Sequence, residues 1–127
     1  MTQEDKQLLL KDICARLPYK VKGVYARTDI KNLSICEITT HLYGEMEESF
    51  NGKEKYEFIP YLRPMSSMTD EEQRTLDSMC NGVEMVSRLS GLKMFDKAFD
   101  WLNKNHFDYR GLIEKGLALD ATGLNIY

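Results

Sequence analysis

Cysteine is scarce in this sequence, and its few copies lie far apart. Cys14, Cys36 and Cys80 are the three cysteines, and no two of them form a C-x-x-C pair. Zinc sites and redox motifs usually need such closely spaced thiols, so we expect no metal site. An odd number of cysteines is more typical of the reducing cytosol than of a disulfide framework. The sequence therefore predicts a cytoplasmic protein with three free and mostly buried thiols.

Positive charge is not in excess either. Lysine and arginine number 17 against 20 aspartates and glutamates, which gives a formal net charge of −3 at pH 7. A protein that binds nucleic acid through a broad electrostatic field usually carries the opposite balance. The one basic cluster consists of Lys20, Lys22, Arg27 and Lys31. Nucleic-acid binding by this region is therefore an alternative that the charge does not favour.

Long apolar runs are also missing. No run approaches the ~20 residues that a membrane-spanning helix needs. The stretch MTQEDKQLLLKD at the start of the sequence is acidic where a signal peptide would be basic. Its leucine run is also shorter than the apolar core of a signal peptide. We therefore expect no membrane partner.

The sequence does contain enough apolar material for a packed core. Its 127 residues are 43% hydrophobic and 10% aromatic, which is typical of a globular protein. A chain of this length usually forms one domain. We therefore expect a single domain over residues 1–127.

The first segment has the features of an amphipathic helix. Thr2 can cap it, and acidic residues follow in the first turn, where they suit the helix dipole. Leu9, Ile13 and Leu17 recur at four-residue steps and give one apolar face. Pro18 disfavours the α conformation in the residue before it. The sequence therefore predicts a helix over residues 2–16.

Residues 20–60 have the features of a β region. Lys20–Arg27 is rich in β-forming residues, and Leu33–Tyr43 alternates between apolar and polar residues as a half-buried strand does. Asn51-Gly52 favours a type I′ turn, which joins the two strands of a hairpin. The region therefore predicts about four strands, arranged either as a small antiparallel sheet or as a bent β-barrel.

The stretch YLRPMSSMTDEEQ, residues 61–73, has the features of a link from sheet to helix. Pro64 keeps the exit from the sheet extended, and two serines form a short polar link. Thr69 and Glu72 then have the T-x-x-E spacing of a capping box, in which each side chain bonds the backbone amide of the other residue. A helix is therefore expected to begin at this point.

Helical spacing continues over residues 69–104. Asn81-Gly82 and Ser90-Gly91 interrupt it, and there the helix either tolerates a glycine, at a cost of about 1 kcal/mol, or breaks. We expect a further helix from about Lys93 to Asn103. Ala98 and Leu102 lie on the apolar face of this second helix, and Phe95 and Phe99 widen that face.

The second helix is followed by a glycine-rich and apolar tail, residues 105–127. Asn105 can end the helix in a left-handed conformation. The stretch HFDYRGL, residues 106–112, then predicts a structural clasp that holds the tail on the body of the protein. We expect Phe107 to point inward and Arg110 to bond either terminal carbonyls or a carboxylate such as Asp108.

Motifs of known chemistry are missing from the sequence. No P-loop, dinucleotide-binding, H-E-x-x-H or EF-hand pattern occurs, so we expect no cofactor. His41 falls on a predicted strand, and His106 lies near Asp108, but no motif places a serine or cysteine nucleophile beside either histidine. The end of a helix favours a cation, which gives His106 a structural explanation. We assign no catalytic residue.

Aromatic and arginine side chains are the one suggestive group. Tyrosine, tryptophan and arginine are enriched at binding hot spots, although they are also common in cores. The candidate interaction surface comprises Tyr61, Arg63, Trp101, His106, Tyr109 and Arg110.

Two long strings, YLRPMSSMTDEE and DWLNKNHFDYRGLIEKGLAL, carry a family resemblance. Together with Arg16-Leu17-Pro18-Tyr19, they resemble a family of small uncharacterised proteins of gut anaerobic bacteria and their prophages or other mobile elements. Ile59 stands where the family has a lysine, and the resemblance is weakest over residues 22–58. It implies a cytosolic bacterial or phage protein and brings no activity or catalytic residue.

The sequence thus predicts an α+β domain with an N-terminal helix, a small sheet or barrel, two C-terminal helices and a packed tail. The leading functional hypothesis is a non-enzymatic protein-interaction module of prophage or mobile-element origin. The alternatives are a nucleic-acid-binding protein that uses the β region and an enzyme of unidentified activity. Nothing in the sequence indicates the oligomeric state.

Overall fold

The computed structural model describes residues 2–27, 31–51, 56–80 and 88–127. Within these ranges the chain forms four α-helices and four strands, so the predicted α+β class is confirmed. In chain order the elements are α1 (Gln3–Arg16), β1 (Lys22–Arg27), β2 (Lys31–Glu37), α2 (Thr40–Asn51), β3 (Tyr56–Leu62), α3 (Asp70–Cys80), α4 (Arg88–Lys104) and β4 (Leu119–Asp120).

The predicted N-terminal helix is confirmed as α1. Thr2 and Asp5 form a capping box, in which the Asp5 amide donates to Thr2 Oγ1 at 3.1 Å and the Thr2 amide donates to Asp5 at 3.3 Å. A short 3₁₀ turn over Leu17–Tyr19 contains Pro18 and follows the helix directly. The cap and the proline therefore define the two ends of α1, as their local chemistry predicts.

Four of the described strands form one mixed sheet in the order β2-β1-β3-β4. β1 runs antiparallel to both β2 and β3, and β4 runs parallel to β3. In the described part of the chain β2 and β4 are the two edges, so the sheet is open and not a closed barrel. The fourth strand comes from the C-terminal tail, not from the predicted β region, and this explains why the sheet is mixed.

A helix, α2, replaces part of the predicted β region. The strand predicted over Leu33–Tyr43 is wrong beyond Glu37, where β2 ends. Thr39 caps α2, because its hydroxyl accepts a hydrogen bond from the Leu42 amide at 3.1 Å. His41 therefore lies on a helix and not on a strand.

The predicted hairpin is wrong in its first strand. Asn51 is the last residue of α2, and residues 52–55, which include Gly52, lie outside the described residues. Leu42, Met46 and Phe50 recur every four residues, which is the spacing of one helix face. Met46 is 1% exposed, so this face packs on the core.

The core lies between α1, α2 and one face of the sheet. Leu9 and Ile13 of α1 and Phe58 of β3 are each 0% exposed. The Phe58 ring crosses β1 at Gly23, where an added Cβ would lie 2.6 Å from the ring. Gly23 therefore provides the space that the largest core ring of β3 occupies.

The C-terminal tail folds back onto this core, as predicted. Leu112 is 0% exposed and Leu117 is 5% exposed, and both belong to the core cluster. The amide of Ala121 donates to the carbonyl of Leu62 at 2.9 Å, which continues the pairing of β4 with β3. The tail is thus part of both the core and the sheet.

Two further predictions, on the start of α4 and on the burial of the cysteines, need correction. α4 begins at Arg88, before the expected Lys93, and runs through Ser90-Gly91, so the helix tolerates this glycine. Asn81-Gly82 lies outside the described residues. The cysteines are free, as predicted, but Cys14 and Cys80 are exposed and Cys36 is half-buried. The predicted burial of the thiols is therefore wrong.

Exposure of the thiols follows from their positions on the elements. Cys14 directly follows Ile13 and lies away from the buried stripe of α1. α3 has no buried residue, so Cys80 at its last position is exposed as well.

Candidate functional site

The candidate site begins at the C-terminal end of α4. This helix end has the hydrogen bonds of a Schellman motif. The amide of Phe107 donates to Leu102 O at 2.9 Å, and the amide of His106 donates to Asn103 O at 3.1 Å. The sequence suggested Asn105 as the left-handed residue that ends the helix. The left-handed residue is instead His106, which has φ 64°. This turn redirects the chain from α4 towards the sheet.

The segment after the turn joins the sheet beside the end of β3. The amide of Arg63 donates a hydrogen bond to His106 O, and the amide of Asp108 donates one to Arg63 O. Both are 2.8 Å long. Phe107, between the two, is 0% exposed and stacks on Trp101 with ring centroids 5.7 Å apart. The prediction that Phe107 points inward is therefore confirmed.

Arg63 connects this segment to the start of α3. Its guanidinium lies 4.1 Å from the centroid of the Phe107 ring and donates to both carboxylate oxygens of Glu72, at 2.9 and 2.7 Å. Glu72 also completes the predicted capping box, because the amide of Thr69 donates to Glu72 at 3.1 Å and the Glu72 amide donates to Thr69 Oγ1 at 3.1 Å. Hydrogen bonding by Arg63 lowers the pKa of Glu72 to about 2.

A buried charged cluster lies on the other side of the segment. Asp12 accepts from Arg16 Nε at 2.9 Å, from Arg16 Nη2 at 3.0 Å and from Arg110 Nη1 at 2.8 Å. The side chains of Asp12 and Arg16 are both 0% exposed, and that of Arg110 is 18% exposed. Arg16 Nη2 also donates to Phe107 O at 2.6 Å, which ties α1 to the same segment.

Arg110 bonds a carboxylate, as predicted, but the partner is Asp12 and not Asp108. Asp108 instead accepts from the amides of Leu112 at 2.8 Å and Ile113 at 2.9 Å. Its carboxylate therefore caps the turn that leads into the tail. The expected clasp exists, although the sequence suggested the wrong carboxylate for Arg110.

Tyr109 lies close to both arginines of the charged cluster. Its ring centroid is 5.6 Å from the guanidinium carbon of Arg16 and 4.7 Å from that of Arg110. Its hydroxyl donates to Asn103 Oδ1 at 3.0 Å, and its ring centroid is 5.3 Å from that of Phe99. Tyr109 thus joins the buried cluster to the surface of α4.

His106 faces cations and an aromatic ring. Its imidazole stacks on the ring of Tyr127, with centroids 3.6 Å apart and planes at 14°. Burial, followed by the charges of Arg16, Arg63 and Lys22, lowers the pKa of His106 to about 4. The expectation that the helix end would favour a charged His106 is therefore wrong, since desolvation and three cations outweigh the helix dipole.

Tyr127 lies at the end of the hydrogen-bonded ladder between β1 and β3. Its hydroxyl accepts from the Lys22 amide at 2.8 Å and lies 2.8 Å from Tyr61 O and 3.2 Å from Lys22 O. Although 43% of the residue is exposed, burial of the hydroxyl raises the pKa of Tyr127 to about 12. Lys22 Nζ donates to the carbonyl of the preceding residue, Ile126, at 2.6 Å.

A small cleft of about 220 Å³ lies beside Tyr127. Two of its polar groups already have partners, because Arg63 binds Glu72 and Ser67 Oγ donates to Pro64 O at 2.6 Å. The cleft is lined by Arg63, Ser67, Ala121, Thr122, Gly123, Asn125, Ile126 and Tyr127. Ligand pockets are usually larger, at about 300–1,000 Å³.

The structure brings most of the predicted interaction surface together, but in structural roles. Arg63, Trp101, His106, Tyr109 and Arg110 all contact the segment 106–110 or belong to it. The remaining residue of the set, Tyr61, contributes its carbonyl to the Tyr127 hydroxyl. These contacts hold neighbouring elements together, so they give the set a structural role.

The buried ion pair was missed by the sequence analysis, although the sequence carries a signal for it. Leu9, Asp12, Ile13 and Arg16 have the spacing of one helix stripe, and all four are buried. A charged pair four residues apart on an apolar stripe therefore predicts a buried salt bridge. No comparable signal points to the stacking of His106 on Tyr127.

Two phenylalanines of α4 are more exposed than predicted. Phe95 is 44% exposed and Phe99 is 48% exposed, so they lie beside the buried face and do not widen it. Asp96 and Asp100 each follow one of these rings along the helix, and the hydroxyl of Tyr19 donates to Asp100. An aromatic row and an acidic row therefore run side by side on α4.

Comparisons with family models, with curated proteins and with solved structures found no match to this chain. In the ranges that the structure describes, no three His, Cys, Asp or Glu side chains are grouped so that they could hold a metal ion. None of the described helices combines the length and the apolar character needed to cross a membrane.

Proposed function

We propose that this protein is a non-enzymatic cytoplasmic module that binds another protein through the aromatic row of α4. Phe95 and Phe99 carry the proposal, because both rings are about half exposed and lie one helical turn apart. Exposed aromatic side chains on a rigid helix suit a protein interface, where aromatic residues are enriched. The free and exposed thiols of Cys14 and Cys80 support a reducing compartment.

The neighbouring acidic row indicates the chemistry of the partner. Asp96 and Asp100 are displaced from the two rings by one residue, or about 100° around the helix. A partner segment with apolar side chains beside lysine or arginine would match both rows. Charge complementarity of this kind contributes mainly to specificity and to the rate of association.

The alternatives have less support from the contacts. His106, the candidate for acid–base chemistry, is stacked on Tyr127 and has a pKa of about 4. Lys22, from the basic cluster, donates to Ile126 O, while the side chains of Arg27 and Lys31 lie outside the described residues. These contacts favour a structural role for the groups that suggested catalysis or nucleic-acid binding.

A peptide-display selection tests the proposal while the partner is still unidentified. Peptides selected on the parent protein are titrated against the parent and against the double variant Phe95→Ser/Phe99→Ser. We expect peptides with apolar and basic residues, and a loss of affinity of at least about 30-fold in the double variant, because hot-spot residues contribute about 2 kcal/mol or more. Lys97→Ser, an exposed position on the same helix, is the matched control and should bind like the parent.

Stability measurements separate a lost contact from a lost fold. Both residues are about half exposed, so the double variant should stay folded and lose far less stability than a variant of the buried Phe107. Part of its loss comes from the contact of Phe99 with Tyr109. Selected peptides that bind the parent and the double variant equally would refute the proposed surface. A gel shift with a steep dependence on salt would instead favour nucleic-acid binding.

A further inference from the structure

Residues 122–127 form a short segment, the latch, that covers His106 and ends in Tyr127. Among the described residues, the latch makes few contacts with the rest of the protein. The Tyr127 hydroxyl bonds the backbone of Lys22 and Tyr61, and Ile126 O accepts from Lys22 Nζ. The preceding residues are held more firmly, since Ala121 is 7% exposed and its amide pairs with β3.

The latch can open without disturbing the core. Residues 122–125 are exposed, and Leu124 is 44% exposed. Gly123 and Asn125 have φ of 79° and 51°, so the backbone turns sharply twice within the segment. Segments with few buried apolar contacts and exposed backbone open at a low free-energy cost.

Burial and the cations around His106 disfavour a protonated imidazole. The charges that face it are Arg16 from α1, Lys22 from β1 and Arg63 from the end of β3, with the Tyr127 ring stacked on top. Two of these cations already bind acids, because Arg16 binds Asp12 of α1 and Arg63 binds Glu72 of α3. In the described part of the chain, His106 Nδ1 is buried and has no hydrogen-bond partner.

We propose that the latch is a pH-sensitive device that opens when His106 takes up a proton. A protonated imidazole would be a fourth cation in this group, and it would be desolvated beneath the Tyr127 ring. Release of the ring brings water to the imidazole and moves a partly buried cation into solvent. Opening also uncovers the backbone groups of Lys22 and Tyr61 and widens the cleft beside Arg63.

The direction of the pH effect follows from linkage. The pKa of His106 is about 4 in the closed form, below its ordinary value of 6.5. The closed form is therefore fully favoured above pH 6.5 and loses this advantage as the pH falls towards 4. The opening equilibrium constant should therefore rise as the pH falls, and the ratio of the two proton affinities, about 300-fold, is the upper limit that it approaches below pH 4.

Nuclear magnetic resonance of the full chain, labelled with nitrogen-15 and titrated from pH 7.5 to 4.5, tests the latch. The backbone amide of Lys22 is the reporter, because it donates to the Tyr127 hydroxyl in the closed form. We expect its resonance and those of the latch amides to change with one shared midpoint, together with the His106 ring signals. Far-UV circular dichroism should stay constant over the same pH range.

Two histidine variants identify the group that titrates. His106→Asn removes the titration while keeping a residue that tolerates positive φ, so the Lys22 transition should disappear. His41→Asn is the matched control, because His41 is exposed on α2, and the transition should remain. Tyr127→Phe keeps the ring but loses the hydroxyl bonds, so the transition should move to higher pH.

Several outcomes would overturn the proposal. Titration of His106 with no change at the Lys22 amide would show that the latch stays closed. Persistence of the Lys22 transition in His106→Asn, or its loss in His41→Asn, would assign the effect to another group. Loss of the whole circular dichroism signal at the same midpoint would show global unfolding and no local device.

Discussion

Replacing Asp12 by alanine should be among the most damaging single changes in this protein. The carboxylate is 0% exposed and accepts three hydrogen bonds from the guanidiniums of Arg16 and Arg110. Its removal leaves Arg16, also 0% exposed, with one charge-assisted bond to Phe107 O. Removing one partner of a buried ion pair costs about 3–5 kcal/mol, because the other charge stays buried and uncompensated.

Arg110→Ala is the matched control, because it removes a different side chain of the same charged cluster. Arg110→Ala leaves the bonds between Asp12 and Arg16 intact, and the lost side chain is 18% exposed. Loss of one hydrogen bond to a charged group costs about 1.5–3 kcal/mol. Asp12→Ala should therefore cost clearly more than Arg110→Ala, although the residues belong to one cluster. Asp12→Asn preserves the volume, so destabilisation of this variant would report charge and hydrogen bonding instead of packing.

Urea unfolding followed by circular dichroism measures these differences. Domains of this size are usually stable by about 5–15 kcal/mol, so the expected loss is a large share of the total. The dependence of the unfolding free energy on urea should stay unchanged if only native-state stability is altered. Equal costs for Asp12→Ala and Arg110→Ala, or a cost below about 1 kcal/mol for Asp12→Ala, would refute the argument that Arg16 is left uncompensated.

Three further predictions follow from single side chains. Phe107→Ala should cost about 3–5 kcal/mol in a urea melt, because the ring is 0% exposed, whereas the exposed Phe99→Ala should cost much less. The pKa of Glu72 is depressed to about 2, so its stabilising effect is present above pH 4.5 and is lost as the pH falls towards 2. In Glu72→Gln, the free energy of unfolding should therefore fall less between pH 4.5 and pH 2 than in the parent. Cys14 is exposed, and burial raises the pKa of the half-buried Cys36 thiol, so a thiol reagent should label native Cys14 before Cys36.

The starts of α1 and α3 were predictable because their chemistry is local. A threonine and an acidic residue three positions later form each of the two capping boxes, at Thr2 with Asp5 and at Thr69 with Glu72. Both residues of a box bond backbone amides within a single turn, so no distant contact is needed. The sequence therefore carried sufficient information about where α1 and α3 begin.

The error at α2 has an equally physical origin. β-branched residues follow β2, and their alternation resembled a strand that continues to Tyr43. The spacing of Leu42, Met46 and Phe50 favours a helix, and Thr39 can cap it. The contacts of α2 with α1 and β3 decide between the two local patterns, and a single sequence does not reveal them.

Contacts between distant residues explain why the chemistry of the site was harder to predict. Arg110 and its partner Asp12 are 98 positions apart, and Tyr127 bonds Lys22 across 105 positions. Sequence spacing cannot pair such residues, so the nearby Asp108 was the natural but wrong expectation for Arg110. The stripe that contains Asp12 and Arg16 was the one usable signal, because its burial follows from its helical spacing.

The same contacts change where an interaction surface should be sought. The aromatic and arginine residues that suggested a hot spot connect α1, β3, α3 and α4 to the segment 106–110. Substituting them would alter stability together with any binding, so a loss of binding in those variants would not identify an interface. Phe95 and Phe99 differ because they are about half exposed, so substituting them alters stability less, although Phe99 contacts Tyr109. They are therefore the residues at which the interaction hypothesis can be tested with the least effect on the fold.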